Sequence, residues 1–195
     1  MINSQTNILS PTVLKKIQTI VFGPETPWYA TMTDYYTYST PDKYSHSWAH
    51  FAFMDGKSVS NLGDILELVA LEALEKSGQS VDKILRVRLG LHSISPQTFV
   101  GGPHVDLDYP HMVALIYLND ADGDTVIYNE KYHPGPGLST YEYYERVLNH
   151  QVTVQERSTP EENKLVWFDG GYYHSSSSPT TVPKRIVMNI NYILK

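Results

Sequence analysis

The chain of 195 residues contains no cysteine. Disulfides, thiolate metal sites and cysteine nucleophiles are therefore excluded, and cysteine usage is silent on redox compartment. Any metal ligands must come from the eight histidines and the carboxylates. Long apolar runs are missing too, and nothing approaches membrane-spanning length. The opening MINSQTNILSPTVLKK has neither a basic stretch leading into an apolar run nor a small-residue cleavage site. A soluble, cytoplasmic protein with no membrane partner is expected. Basic clusters are scarce as well. Fifteen Lys and Arg stand against 21 Asp and Glu, a net charge of −6, and no basic run exceeds the pairs Lys15-Lys16 and Lys184-Arg185. A phosphate-backbone partner rests on clustered positive charge, so this balance counts against nucleic acid, though a local basic groove can exist on an acidic protein.

What is present is an ordinary globular balance, 41% hydrophobic and 18% charged, which argues for one domain, residues 1–195, with a real core. Residues 12–22 (TVLKKIQTIVF) carry apolar residues at helical spacing and stop at Gly23-Pro24. A second, clearer helix is predicted over 62–77, with Leu62, Ile65, Leu66, Val69, Leu71 and Leu74 as its apolar face. Ser60 or Asn61 can cap its start, and Gly78 suits its end. Between the helices lies an aromatic tract (Trp28, Tyr29, Tyr35, Tyr36, Tyr38, Tyr44, Trp48) without a clear period. It is read either as a substrate groove or lid, or as packing.

Beyond residue 80 the pattern changes to short alternating segments: ILRVRLGLHS, HMVALIYLN, DTVIY, HQVTVQE, KLVWFD and RIVMNINYI. Turn signals separate them, among them NDADGD, STPEEN and GGYYHSSSSPTTVP. Helices first and strands after suggest a mainly β fold with flanking helices (α+β). A jelly roll is expected, with helical support over about 1–80 packed on one sheet and the β core over about 82–195.

The stretch GGPHVDLDYPH, residues 101–111, raises the chemistry. On an extended chain, residues i and i+2 share a face, so His104 and Asp106 can offer an imidazole nitrogen and a carboxylate oxygen to one cation. A third ligand must come from elsewhere. His174, after the buried-looking strand KLVWFD, is the best candidate. The last strand adds a polar face, Arg185, Val187, Asn189 and Asn191, opposite an apolar one, Ile186, Met188, Ile190 and Tyr192. A strand of that kind suits the lining of a polar cavity, where Arg185 would be a fork-shaped cation for a carboxylate. Two histidines and one carboxylate leave positions open on a metal, the pattern of non-haem Fe(II) oxygenases rather than of closed zinc sites.

The run PHVD…LIYLND…KLVWFDGGYYHSSSSPTTVPKRIVMNINYI resembles the 2-oxoglutarate/Fe(II)-dependent oxygenase superfamily, with the prolyl 4-hydroxylase-like branch closest. The resemblance covers about residues 82–195 and implies a double-stranded β-helix. It implies that His104, Asp106 and His174 hold Fe(II), and that Arg185 grips the distal carboxylate of 2-oxoglutarate with the Tyr117 hydroxyl beside it. Lys184 also falls near the expected spacing; strand parity favours Arg185, and a one-residue shift would exchange them. The implied reaction uses O2, with ascorbate as an accessory reductant. It hydroxylates a C–H bond, on a prolyl or other side chain of a peptide or protein or on a small molecule, and releases succinate and CO2. Two readings of other classes stay open: a nucleic-acid dealkylating oxygenase, and a non-catalytic cupin-like jelly roll that binds a metal or ligand.

The remaining polar residues are read more plainly. Asp108 is expected to face solvent beyond a strand ended by Pro110, and His111 to be a turn residue at the edge of the site. Arg86, Arg88 and His92 alternate with Val87, Leu89 and Leu91, which reads as a solvated face by default. Orienting substrate is the sharper option for Arg88 and His92, as lining the site is for Asn189. His46, His50, His133 and His150 have no partner at ligand spacing.

Overall fold

The computed structural model describes residues 2–31, 47–96, 98, 100–133 and 153–195. Helix α1 spans Pro11–Val21; the Ser10 side chain accepts from the Val13 amide at 3.3 Å, and proline stands in the first turn, where its missing N–H costs nothing. Its apolar stripe buries Leu14, Ile17 and Val21. Helix α2 spans Gly63–Lys76 and buries Leu66, Val69, Ala70, Ala73 and Leu74. Two details depart from expectation. Ile65 is 42% exposed, and the small Ala70 and Ala73 take the buried face instead, letting the helix sit close to its sheet. The N-cap is Leu62 without a side-chain bond; Ser60, held by His50 Nε2 at 2.9 Å, accepts from the Leu62 amide at 3.2 Å. Gly63 is a close-approach position, since a Cβ there would lie 2.5 Å from the Ala52 carbonyl oxygen. Gly78, at φ +80°, ends the helix as predicted.

The strands are β1 (Asn3–Gln5), β2 (Tyr29–Ala30), β3 (Ser47–Met54), β4 (Lys57–Ser58), β5 (Val81–Ser93), β6 (Met112–Tyr117), β7 (Thr125–Lys131), β8 (Val154–Ser158), β9 (Leu165–Asp169), β10 (Tyr172–Ser176) and β11 (Lys184–Leu194). The larger sheet runs β1-β9-β6-β11-β5-β3-β2, with β4 on β3, and the smaller runs β10-β7-β8. The larger sheet is two-faced because β11 is. Ile186, Met188, Ile190 and Tyr192 enter a core with Leu14, Ile17, Leu66 and Leu74 of the helices. On the opposite face Val187, Val113, Leu115, Tyr117, Val166 and Phe168 meet Ile127 of β7, so the smaller sheet covers that side. This is the jelly roll with helices on one sheet that the order of helices and strands predicted.

Two expectations are corrected. The first 80 residues are not only helical support, because β1 pairs with β9 and β3 pairs with β5 inside the larger sheet. The GGYYHSSSSPTTVP segment is not all turn. Tyr172–Ser176 forms β10 against β7, since its small hydroxyls can be buried once paired, as Ser175 is with the Tyr128 hydroxyl at 2.9 Å. The strand predicted in HQVTVQE appears as β8, with residues 150–152 outside the described ones. Tyr35, Tyr36, Tyr38, Tyr44, His46 and His150 also lie outside the described residues. Of the rest of the aromatic tract, Trp28 packs on the helix-side core and Tyr29 is exposed.

Candidate active site

In β11, residues 185, 187, 189 and 191 face the smaller sheet. They pair with His92, Gly90, Arg88 and Arg86 of β5, in that order. Directly paired residues in an antiparallel sheet share a face, so Arg86, Arg88 and His92 point into the roll. The solvated face expected for them is corrected: alternation shows two faces but not which one a second sheet will cover.

His104 does not lie on a regular strand. A single antiparallel bridge joins it to His174 of β10, with both main-chain bonds, His104 N to His174 O and the reverse, at 2.9 Å. The bridge sets the two rings on the same side, their centroids 4.7 Å apart. Each ring is oriented by a main-chain carbonyl, Nδ1 of His104 on Gly102 O at 3.1 Å and Nδ1 of His174 on Tyr172 O at 3.2 Å. A carbonyl can only accept, so Nδ1 carries the proton and Nε2 presents its lone pair to the site. The Nε2 of His174 is buried and has no hydrogen-bond partner among the described residues; Asp106 Oδ2, at 3.7 Å, is beyond hydrogen-bond reach. One ligand atom from each of His104, Asp106 and His174 lies within 4.8 Å of the others.

Asp106 is held on both oxygens. Arg86 Nη2 stands 2.6 Å from Oδ1, while Asn189 and Asn191 donate to Oδ2 at 3.1 and 2.9 Å. Arg86 Nε in turn donates to Asn191 Oδ1 at 2.8 Å, locking guanidinium and amide into one network. Burial works to raise the Asp106 carboxyl, but the Arg86 guanidinium, His174 and Arg88 together hold it well below the usual carboxylate range. His104 is lowered to about 4 by burial and by repulsion from His174. Both groups thus rest in the protonation states that bind a cation.

Farther along β11, Arg185 is 1% exposed and its Nη2 donates to Thr125 Oγ1 at 2.8 Å. The Tyr117 hydroxyl donates to the same Thr125 oxygen at 2.9 Å and stands 3.3 Å from Ser158 O. Arg185 Nε and Nη1 are buried with no hydrogen-bond partner among the described residues. A buried guanidinium with open N–H groups is costly unless an anion completes it, which fits a carboxylate-bearing ligand. Lys184 takes the opposite parity, its ammonium 4.6 Å from the Phe22 ring on the helix side.

The architecture has known counterparts. HygX from Streptomyces hygroscopicus, solved with nickel and 2-oxoglutarate, matches at TM-score 0.62 and 13% identity over 98% of this chain and 82% of its own. The epimerase SnoN, solved with Fe3+, alpha-ketoglutarate and nogalamycin RO, matches at TM-score 0.64 and 12% identity over 98% and 78%. A Trichoplax adhaerens prolyl hydroxylase, in complex with a hypoxia inducible factor peptide fragment, matches at 0.57 and 10% over 98% and 83%. The fold is that of the 2-oxoglutarate/Fe(II) oxygenases. No protein-family model and no curated protein sequence matches the chain.

Within this oxygenase fold, Asp108 is exposed, as expected, and His111 is not a plain turn residue. His111 is 5% exposed, and its Nδ1 donates to Tyr109 O at 2.7 Å. Its ring also packs on Gly170, where a Cβ would lie 2.3 Å from Nε2. Thr125, which joins Arg185 to Tyr117, was missed in the sequence. The alternation of DTVIY gave a face for it, but nothing near it pointed to a guanidinium. Arg86 and Asn191 carried a signal, the parity they share with Arg88 and Asn189.

His92 gives a pH test. Burial, with help from Arg185 and Arg88, lowers it to about 3, against 6.5 for the exposed imidazole. The unfolded chain therefore binds the proton first as pH falls. The stability due to neutral His92 is complete above about 6.5 and declines toward pH 3, by up to about 1.4 kcal/mol per unit. Urea midpoints between pH 7 and 4 should fall less steeply in His92→Gln than in the wild type; equal slopes would contradict this assignment.

Proposed function

We propose that this protein is a 2-oxoglutarate- and Fe(II)-dependent oxygenase acting on a C–H bond of a small molecule or a peptide side chain. His104, Asp106 and His174 would hold the iron. Arg185, with Thr125 and Tyr117 beside it, would hold the distal carboxylate of 2-oxoglutarate. When bound, iron and cosubstrate supply the activation of O2, and 2-oxoglutarate leaves as succinate and CO2. The single observation that carries this reading is the pairing, between the two sheets, of a largely buried two-histidine, one-carboxylate cluster with a buried arginine whose Nε and Nη1 have no hydrogen-bond partner among the described residues.

The chain's own work is orientation and charge. The Gly102 and Tyr172 carbonyls hold both imidazoles in the ligating tautomer. Arg86 on Asp106 Oδ1, with the Asn189 and Asn191 amides on Oδ2, fixes the orientation of the carboxylate beside the two histidines and keeps it ionised. Phe168 packs edge-on against the His174 ring at 5.2 Å and shields it from water.

The reading is tested by incubating the protein with Fe(II), 2-oxoglutarate and O2 and assaying succinate. Slow Fe(II)-dependent succinate release without any added substrate is expected; none, with or without candidate substrates, would remove the proposal. A second test addresses the carboxylate network. Arg86→Met should weaken Mn(II) binding by about 10- to 100-fold, the range seen when a metal ligand loses its outer hydrogen-bonding partner. Mn(II) titration followed by electron paramagnetic resonance measures it, and an unchanged dissociation constant would remove Arg86 from the account.

A further inference from the structure

The inward face of the larger sheet carries more positive charge than iron and cosubstrate binding uses. Strands β5 and β11 contribute Arg86, Arg88 and Arg185 to that face and no carboxylate. Arg86 is committed to Asp106 and Arg185 to the Thr125 pocket. Arg88 lies between them, opposite Asn189, whose amide donates to Asp106. It is half-buried, and its charge acts on His92, His104 and Asp106 alike, so it stands close to the metal cluster.

On its other side Arg88 pairs with Phe51 of β3, its guanidinium carbon 6.0 Å from the ring centroid. Phe51 is 39% exposed, an aromatic left open on the face that elsewhere forms the interior. A guanidinium and an accessible aromatic side by side offer an oxyanion a bidentate partner and an adjoining apolar group a surface. Arg88 is also engaged within the chain, and a guanidinium with five N–H groups can serve both. The chain has a net charge of −6, so this cationic interior is a local reversal that draws anions inward.

We propose that Arg88 and Phe51 form a substrate subsite, and that the substrate carries an oxyanion, a carboxylate or phosphate, beside an apolar group. The inference rests on the oxygenase reading of the same site and names its substrate class. The test is calorimetric titration of Mn(II)-loaded wild type, Arg88→Gln, Arg88→Lys and Arg185→Gln with benzoate, phenyl phosphate, benzyl alcohol and, separately, 2-oxoglutarate. Benzoate or phenyl phosphate should bind the wild type more tightly than benzyl alcohol by about tenfold or more, the worth of one charge-assisted hydrogen bond. Arg88→Gln should erase that preference, and Arg88→Lys should keep part of it; whichever anion binds tighter assigns carboxylate or phosphate.

Binding of 2-oxoglutarate should do the reverse, surviving Arg88→Gln and failing in Arg185→Gln, which also reports that the Arg88 variant is folded. No preference for the anions, no binding of any probe, or a preference that follows Arg185 instead of Arg88 would overturn the subsite. Retention of 2-oxoglutarate binding by Arg185→Gln, with the anion preference still following Arg88, would instead remove the proposed cosubstrate anchor and leave the subsite standing.

Discussion

His174→Ala should abolish tight metal binding and, with it, all Fe(II)-dependent turnover of 2-oxoglutarate. The imidazole is buried, its Nδ1 is spent on Tyr172 O, and its Nε2 has no hydrogen-bond partner among the described residues. Among the described residues the ligand cluster comprises His104, Asp106 and His174, so removal of His174 leaves it two protein ligands. Loss of a direct ligand should exceed the roughly 100-fold upper range for loss of an outer partner. The fold should survive, since β10 is tied to His104 and β7 through main-chain bonds that alanine keeps. Mn(II) titration alongside a thermal melt separates the two effects. A variant that binds metal within a few-fold of wild type would show that His174 is not a ligand.

Arg185→Gln should weaken 2-oxoglutarate binding by about 100-fold, two charge-assisted hydrogen bonds at about 1.5 kcal/mol each or a little less. Lys184→Ala should leave it unchanged, because that ammonium lies over Phe22 on the helix side of the sheet. The variant's unliganded stability makes the assignment sharper. An incompletely paired buried cation is a cost in the empty protein, so Arg185→Gln should melt no lower than wild type without cosubstrate, yet gain little when 2-oxoglutarate is added. Melting curves with and without 2-oxoglutarate measure both. Equal stabilisation of both proteins by cosubstrate would remove Arg185 as its anchor.

The legible part of this molecule was what alternation encodes. Ile186, Met188, Ile190 and Tyr192 against Arg185, Asn189 and Asn191 announced a strand with one apolar and one polar face, and the register and packing of β11 bear out those two faces. The same alternation misled at β5. Arg86, Arg88 and His92 look like solvated residues because a polar interior and a wet surface write the same pattern. Only the partner strand reveals the difference.

The serine-rich segment around His174 failed for a related reason. Small hydroxyls favour turns in isolation, but paired with β7 they enter a strand, with Ser175 bonded to the Tyr128 hydroxyl and Ser176 to His92. The bridge between His104 and His174 crosses about 70 residues of sequence, a long-range contact that local pattern does not carry. Its histidines were found through spacing and resemblance. Their support by Arg86, Asn189 and Asn191 was visible only in three dimensions.

As proposed, one site binds iron through His104, Asp106 and His174 and 2-oxoglutarate through Arg185. The most direct measurement adds Fe(II) and 2-oxoglutarate to the protein without oxygen and records the visible spectrum. The weak charge-transfer absorption of an iron-bound 2-oxo acid is expected, lost in His174→Ala and, at limiting cosubstrate, in Arg185→Gln but not in Lys184→Ala. No such absorption in the wild type at saturating metal and cosubstrate, or one that persists in His174→Ala, would contradict it.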